Sequence, residues 1–322
     1  MTDEQRTAVV AGASGFLGPK VVAALRADGY RVLTIGRAGA DASWDAPAAV
    51  ARVVDGSDLL VNLAGKSVGC RYTDANRDEI LRSRVATTQA LHDAVATAAA
   101  PPGLWLNSST GTIYRYAMDR PQDETRGELG TGFSVDVARN WEATLFAGEL
   151  PGTRRVALRM AIVIGDGPAT TMLKRAAKLG AGGPNFDGWC PPHRRYRGIG
   201  PDPSGDGGVP QHRSHGRQRF SWIHVDDVIA AMRFIRDHDE LQGPINLATA
   251  TPSDNRTLMA AVRRRVRMPF GLPTLRWMLE IGMLLLRNES ELVLKSRWVQ
   301  PQRLLDAGFE FTHTDLDEAL RV

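Results

Sequence analysis

Three glycines, Gly12, Gly15 and Gly18, punctuate the stretch Ala8-Val-Val-Ala-Gly-Ala-Ser-Gly-Phe-Leu-Gly18. Before them, Val9-Val10 predicts a short buried strand; after them, Val21, Val22 and Leu25 fall at helical spacing up to Asp28-Gly29. Strand, glycine turn and helix together suit a pyrophosphate. Gly12 permits the tight turn, Gly15 lets the backbone approach the phosphates, and Gly18 lets the helix pack close to the strand. The free N–H groups and positive dipole of the helix start then face the anion. Pro19 fits there, since the first turn needs no N–H at that place. A second strand, Arg31-Val-Leu-Thr-Ile-Gly-Arg37, ends in a cation where an acidic residue would hold a ribose 2′-hydroxyl. Arg37 instead suits a 2′-phosphate, which points to NADP.

Further strands and helices must position that turn. Leu59 to Gly65 is apolar throughout, as a central parallel strand should be, and residues 104–110 and 155–165 make two more strands. Helical stripes run over 74–98 and 133–150. The alternation predicts an α/β fold with a doubly wound parallel sheet, a Rossmann domain over residues 1–165. Residues 166–322 are expected to form a smaller α+β substrate lobe, with 221–247 returning to the Rossmann sheet. Between 185 and 213 lies a long Gly-, Pro- and Arg-rich loop, expected as a mobile flap.

Composition narrows the function classes. The chain has 322 residues, 43% hydrophobic and 24% charged, enough for a sizeable core without a metal or disulfide. Cys70 and Cys190 lie far apart and are expected as reduced thiols in a cytoplasmic protein. The charged start passes straight into a strand, which predicts no leader peptide. The longest apolar run, Trp277 to Leu286, contains Glu280 and is too short to span a bilayer, so no membrane partner is expected. Net charge is +4, mostly scattered arginine, which suits phosphorylated ligands better than nucleic acid. His212-x-x-His215 lacks the carboxylates or cysteines a metal would need, and no metal is expected.

By Trp222-Ile-His-Val-Asp-Asp227 the chain resembles a known family: the extended, atypical branch of the short-chain dehydrogenase/reductases, the NAD-dependent epimerase/dehydratase-like proteins with a C-terminal domain of unknown function. The resemblance rests on Gly12 to Gly18, Val61-Asn-Leu-Ala-Gly65, Ser83-Arg84 with Thr87-Thr88, Leu158 to Gly165, Gly216 to Asp227, and the tail from Pro301 through Ala307-Gly308-Phe309. It covers nearly the whole chain and departs from the family between about 185 and 213. It implies an NADP-binding Rossmann fold with a smaller C-terminal substrate lobe. The implied cofactor contacts are Gly12, Ser14, Gly15, Phe16, Leu17 and Gly18, then Gly36 and Arg37, then Leu63, Ala64 and Gly65. Glu79 and Arg84 would border the crevice.

Active members of this superfamily use a Tyr-x-x-x-Lys pair. In this chain Ser134 stands at the tyrosine position and Ala138 at the lysine position. Thr110 matches the Ser/Thr that polarises a substrate oxygen, four residues before Tyr114. Three readings stay open. Tyr114 is the acid/base of a weak reductase or nucleotide-sugar-epimerase-like enzyme; the chain binds NADP(H) without turnover, as a sensor or scaffold; or Tyr114 is a packing residue and the active group lies on the substrate lobe, where His224 and Asp227 are candidates. The expected partner is a small molecule, nucleotide-linked or phosphorylated, bound by a monomer or homodimer.

Overall fold

The structure, a computed structural model, describes residues 5–208 and 212–321. Its first half alternates strands and helices: β1 (Thr7–Ala11), α1 (Gly18–Ala27), β2 (Arg31–Gly36), β3 (Ala42–Ser43), α2 (Pro47–Val54), β4 (Leu59–Asn62), α3 (Asp74–Thr97), β5 (Leu104–Thr110), α4 (Phe133–Leu145) and β6 (Arg154–Met160). The second half holds β7 (Ile162–Ile164), α5 (Pro168–Lys178), β8 (Arg219–Phe220), β9 (Trp222–His224), α6 (Val225–Arg236), β10 (Gly243–Leu247), β11 (Ser253–Asp254) and α7 (Asn255–Arg265). Four further helices close the chain: α8 (Arg276–Leu285), α9 (Glu291–Leu294), α10 (Gln302–Asp306) and α11 (Leu316–Ala319).

The main sheet has seven parallel strands in the order β10-β6-β5-β4-β1-β2-β3. Strands β1, β4 and β5 are buried almost throughout, which their continuous apolar runs require in a sheet covered on both faces. Val21 and Leu25 of α1 join Val228, Ala231 and Ile235 of α6 on one face. On the other face Val50 and Val54 of α2, Leu91 and Val95 of α3, and Leu145 of α4 pack together. Successive connections run to opposite sides from β1 and β4, and the crevice opens where they part.

The expected sixth strand is interrupted. Met160 ends β6; Ala161 donates its N–H to Leu247 O at 2.9 Å, and β7 leaves the sheet to pair with β9. The return expected over 221–247 therefore belongs to α6 and β10, while β9 lies outside the main sheet. The lobe has its own core of Leu173 and Ala177 from α5 against Leu258, Met259 and Val262 from α7.

The loop expected as a mobile flap is tied to the Rossmann helices at several points, while Trp189 and residues 201–203 stand exposed. Residues 209–211 lie outside the described residues. Arg77 of α3 donates to the carbonyls of Arg194, Arg195, Arg197 and Gly198 at 2.5–3.2 Å. Asp136 of α4 accepts from Ile199 N at 3.0 Å and Ser204 N at 2.6 Å. Gly and Pro prevent regular structure here, and side chains of the Rossmann helices take over the backbone groups that a ladder would satisfy. Replacing Arg77 by Ala removes four of those bonds. Limited trypsin digestion should then cut between 194 and 213 about ten-fold faster or more. An unchanged cleavage rate would show that Arg77 does not hold the loop.

Candidate functional site

The glycine turn sits against the end of β4. Gly12 has φ +81°, and a Cβ there would come within 2.7 Å of the Leu63 carbonyl carbon and the Ala64 nitrogen, so neither strain nor space allows a side chain. Gly18 is equally closed, since its Cβ would lie 2.3 Å from Ala13 O. Gly15 is different. A Cβ there meets nothing nearer than 3.5 Å, and this open backbone faces the crevice. The β4 end is held from below: Asn62 accepts from Ala64 N at 3.0 Å and donates to Thr88 Oγ1 at 3.1 Å and Asn107 Oδ1 at 2.7 Å.

A crevice of about 520 Å³ opens above these elements. Gly12, Gly15, Phe16, Leu17 and Gly18 line one side and Leu63, Ala64 and Gly65 the next. Arg84 of α3 lines it too. Its guanidinium lies over the Trp141 ring at 5.0 Å and donates to Lys66 O at 3.0 Å, so it braces the loop after β4. Burial pulls it down to about 10. Ser14 and Gly36 are not among the lining residues. Arg37 stands exposed just past β2 and makes no ion pair among the described residues. Glu79 does not reach the crevice; its carboxylate pairs with Arg82 on the outer side of α3. A helical turn that aims Ile80 and Arg84 inward carries Glu79 away from them.

The far end of the crevice is formed by Ser108, Ser109, Thr110, Thr112, Phe133, Ser134 and Arg297. Thr110 Oγ1 accepts from Thr112 N at 3.1 Å, leaving its own O–H uncommitted among the described residues. Ser109 donates to Glu142 at 2.6 Å, and Glu142 takes both arms of Arg159 at 2.8 and 2.7 Å.

Tyr114, a candidate acid/base or packing residue, is 2% exposed and does not line the crevice. Its hydroxyl donates to Asn246 Oδ1 at 3.0 Å and accepts from Arg159 Nη1 at 2.9 Å. Burial pushes the phenol up, with Arg159 opposing. Facing inward from the turn after β5, it joins strands β6 and β10 instead of meeting a ligand. The other two candidates also have structural partners. His224 caps α6 through Nδ1, and Asp227 accepts from Thr312 N and His313 N, both at 3.0 Å. His212 stacks on Tyr116 with ring centroids 3.5 Å apart, whereas His215 turns edge-on to Phe186, so the two do not share a site.

The sequence reading missed the groups that the C-terminal tail brings in. Arg297, buried at 8% exposure, donates from Nε to Thr112 Oγ1 at 3.1 Å. Lys295 donates from Nζ to Thr112 O at 2.8 Å; desolvation pulls the amine down to about 8, with Glu291 holding it up. Ser134 donates to Glu291 at 2.8 Å, and the Tyr72 phenol, pushed up by burial, meets the same serine. So cations stand near the vacant Tyr-Lys positions, delivered from more than a hundred residues away. No local spacing could have signalled them. A second cavity of about 360 Å³ adjoins, lined by Arg115, Tyr116, Tyr196, His212, Arg276 and Lys295 among others. Phe133 lines both cavities.

Comparison with known proteins fits this geometry. Residues 8–248 match the NAD dependent epimerase/dehydratase family, and residues 276–322 match a domain of unknown function, DUF1731. The chain belongs to the NAD dependent epimerase/dehydratase family. It is 30% identical over 324 residues to the epimerase family protein MT2273 of Mycobacterium tuberculosis, covering 97% of this chain and 95% of that one. It superposes on the human epimerase family protein SDR39U1 (isoform 2) with NADPH at TM-score 0.77 and 25% identity, covering 98% of both chains. MoeE5 in complex with UDP-glucuronic acid and NAD has the same fold, at TM-score 0.68 and 18% identity over 98% of this chain and 96% of that one. The tail that supplies Lys295 and Arg297 is thus the domain whose function is unknown.

Lys295 makes stability depend on pH. Its folded value, about 8, lies below the ordinary 10.5, so between these values the unfolded chain binds more protons. The penalty is fully present below pH 8 and is relieved as pH rises toward 10.5. Denaturant unfolding of the native protein should show stability gained between pH 8 and 10 relative to Lys295→Met. Parallel curves would mean the amine is solvated.

Proposed function

We propose that the chain binds NADP(H) in the crevice and uses it for reductase or epimerase chemistry on a small molecule held in the adjoining cavity. The observation that carries this reading is the meeting of two cavities at Phe133, one over the glycine turn and one lined by cations. The NADPH seen with the human relative and the nucleotide sugar seen with MoeE5 support the two ligand classes.

The bound cofactor would supply or accept hydride. The chain's own residues do the rest. The N–H groups of Phe16 and Leu17, between Gly15 and Gly18 whose own N–H groups bond within the turn, would hold the pyrophosphate, and Arg37, exposed just past β2, would meet the ribose 2′-phosphate. Thr110 offers its free O–H to a substrate oxygen. Lys295, whose desolvated amine is pulled down to about 8, moves the proton. Tyr114 is a positioning residue that ties β5 to β6 and β10. A second reading, an NADP(H) binder without turnover, is favoured by Ala138, which packs in the core where a catalytic lysine would stand.

Fluorescence titration should give NADPH about ten- to a hundred-fold tighter binding than NADH, and Arg37→Ala should remove that difference. Equal affinities in the native protein would count against Arg37. On a panel of sugar nucleotides, aldehydes and ketones, NADPH-driven reduction needs the protonated amine, so its rate should fall as pH rises through about 8. Oxidation by NADP⁺ should show the mirror-image profile, and Lys295→Met should abolish both dependences. Tight NADPH binding with no turnover at any pH would favour the binder.

A further inference from the structure

Helix α8 is inverted relative to a solvated helix. Its inner face carries charge: Arg276 is buried and donates to Glu280 at 2.9 Å. Its outer face is apolar. Trp277, Ile281, Leu284 and Leu285 fall at i, i+4, i+7 and i+8, a single stripe, and stand 53–79% exposed. The stripe extends beyond the helix. Phe270 and Leu272 precede it in the chain, both more than half exposed. Leu272 N donates to Gly180 O at 3.0 Å, which places Leu179, 86% exposed, beside them. Scattered exposed apolar residues are ordinary, but a continuous face of this kind is not.

The charges around the face share one sign. Arg175 and Lys178 end α5, Arg267 precedes Phe270, and Arg287 follows α8; all four are exposed. Over residues 168–182 and 262–288 the only acidic residue is Glu280, which is spent on Arg276. A second copy meeting this face about a twofold axis would bring the same cations against one another. An anionic surface with an apolar interior has neither problem.

We infer that α8 and its approach form a docking face for an anionic phospholipid membrane, lying in the interface without crossing it. Trp277, Ile281, Leu284 and Leu285 enter the boundary between headgroups and acyl chains, and the four cations meet the headgroups. The run is too short to cross a bilayer, and no helix of the described residues is long and apolar enough to do so.

The test is co-sedimentation of the full chain with vesicles of phosphatidylcholine alone and of equal parts phosphatidylcholine and phosphatidylglycerol. The native protein should partition at least about ten-fold better onto the anionic vesicles at about 0.15 M salt, and the preference should fade at high salt. Arg267→Gln and Arg287→Gln should each weaken anionic binding about five-fold. Leu285→Asp should abolish binding, with circular dichroism checking its fold; where aspartate disturbs it, the two arginine variants carry the test. No sedimentation with either vesicle overturns the inference. So does a concentration-dependent dimer by light scattering that Leu285→Asp dissolves, because the face would then belong to a second copy.

Discussion

The site depends on one buried ion pair. Glu142 of α4 holds both arms of Arg159 of β6, and neither is more than about a tenth exposed. Each group is tolerable there only because the other is present and further bonds use up the remaining donors and acceptors. Removing one partner of such a pair costs about 3–5 kcal/mol, because the survivor is left charged and unpaired. The remaining bonds spread across the top of the sheet. Ser109 reaches Glu142 from β5, Tyr114 reaches Arg159, and Asn246 of β10 receives the phenol and donates to Gln300 O at 2.8 Å. One polar network thus fixes where β5, β6 and β10 end and where the tail returns.

That return brings two cations close to where the usual Tyr-x-x-x-Lys would stand. The tail passes beside residue 122 and the strand β8–β9 region through backbone bonds such as Gln122 N to Trp298 O at 2.7 Å and Ser221 N to Arg297 O at 3.1 Å. With its backbone fixed, it presents Lys295 and Arg297 to Thr112, next to the carboxyl end of β5. Ser134 and Ala138 take up structural roles at those two positions. The serine anchors Glu291, and the alanine fills the core between α4 and the turn after β5.

The frame of the protein was legible in the sequence because it follows local rules. Glycines at 12, 15 and 18 must bend and pack tightly whatever the ligand, and apolar runs such as Leu59 to Asn62 must be buried on both faces. Arg84 lines the crevice. Glu79 does not line it, because a crevice edge spans a narrower arc of a helix than an amphipathic stripe does. The choice between the readings of Tyr114 was open for a related reason. Its distance from Thr110 along the chain was informative, but its direction depended on Arg159 and Asn246, 45 and 132 residues away. The Arg-rich loop looked free because the groups that bind its backbone, Arg77 at the carbonyls and Asp136 at the N–H groups, belong to α3 and α4.

The central claim is that the tail completes the cofactor end of the crevice. A crystal structure with NADP⁺ bound tests it most directly. The account expects the pyrophosphate over Gly15 and the nicotinamide between Thr110, Ser134 and Arg297, with Lys295 facing the substrate side of the ring. A nicotinamide lying away from the tail, with Lys295 and Arg297 more than two water layers from it, would contradict the account.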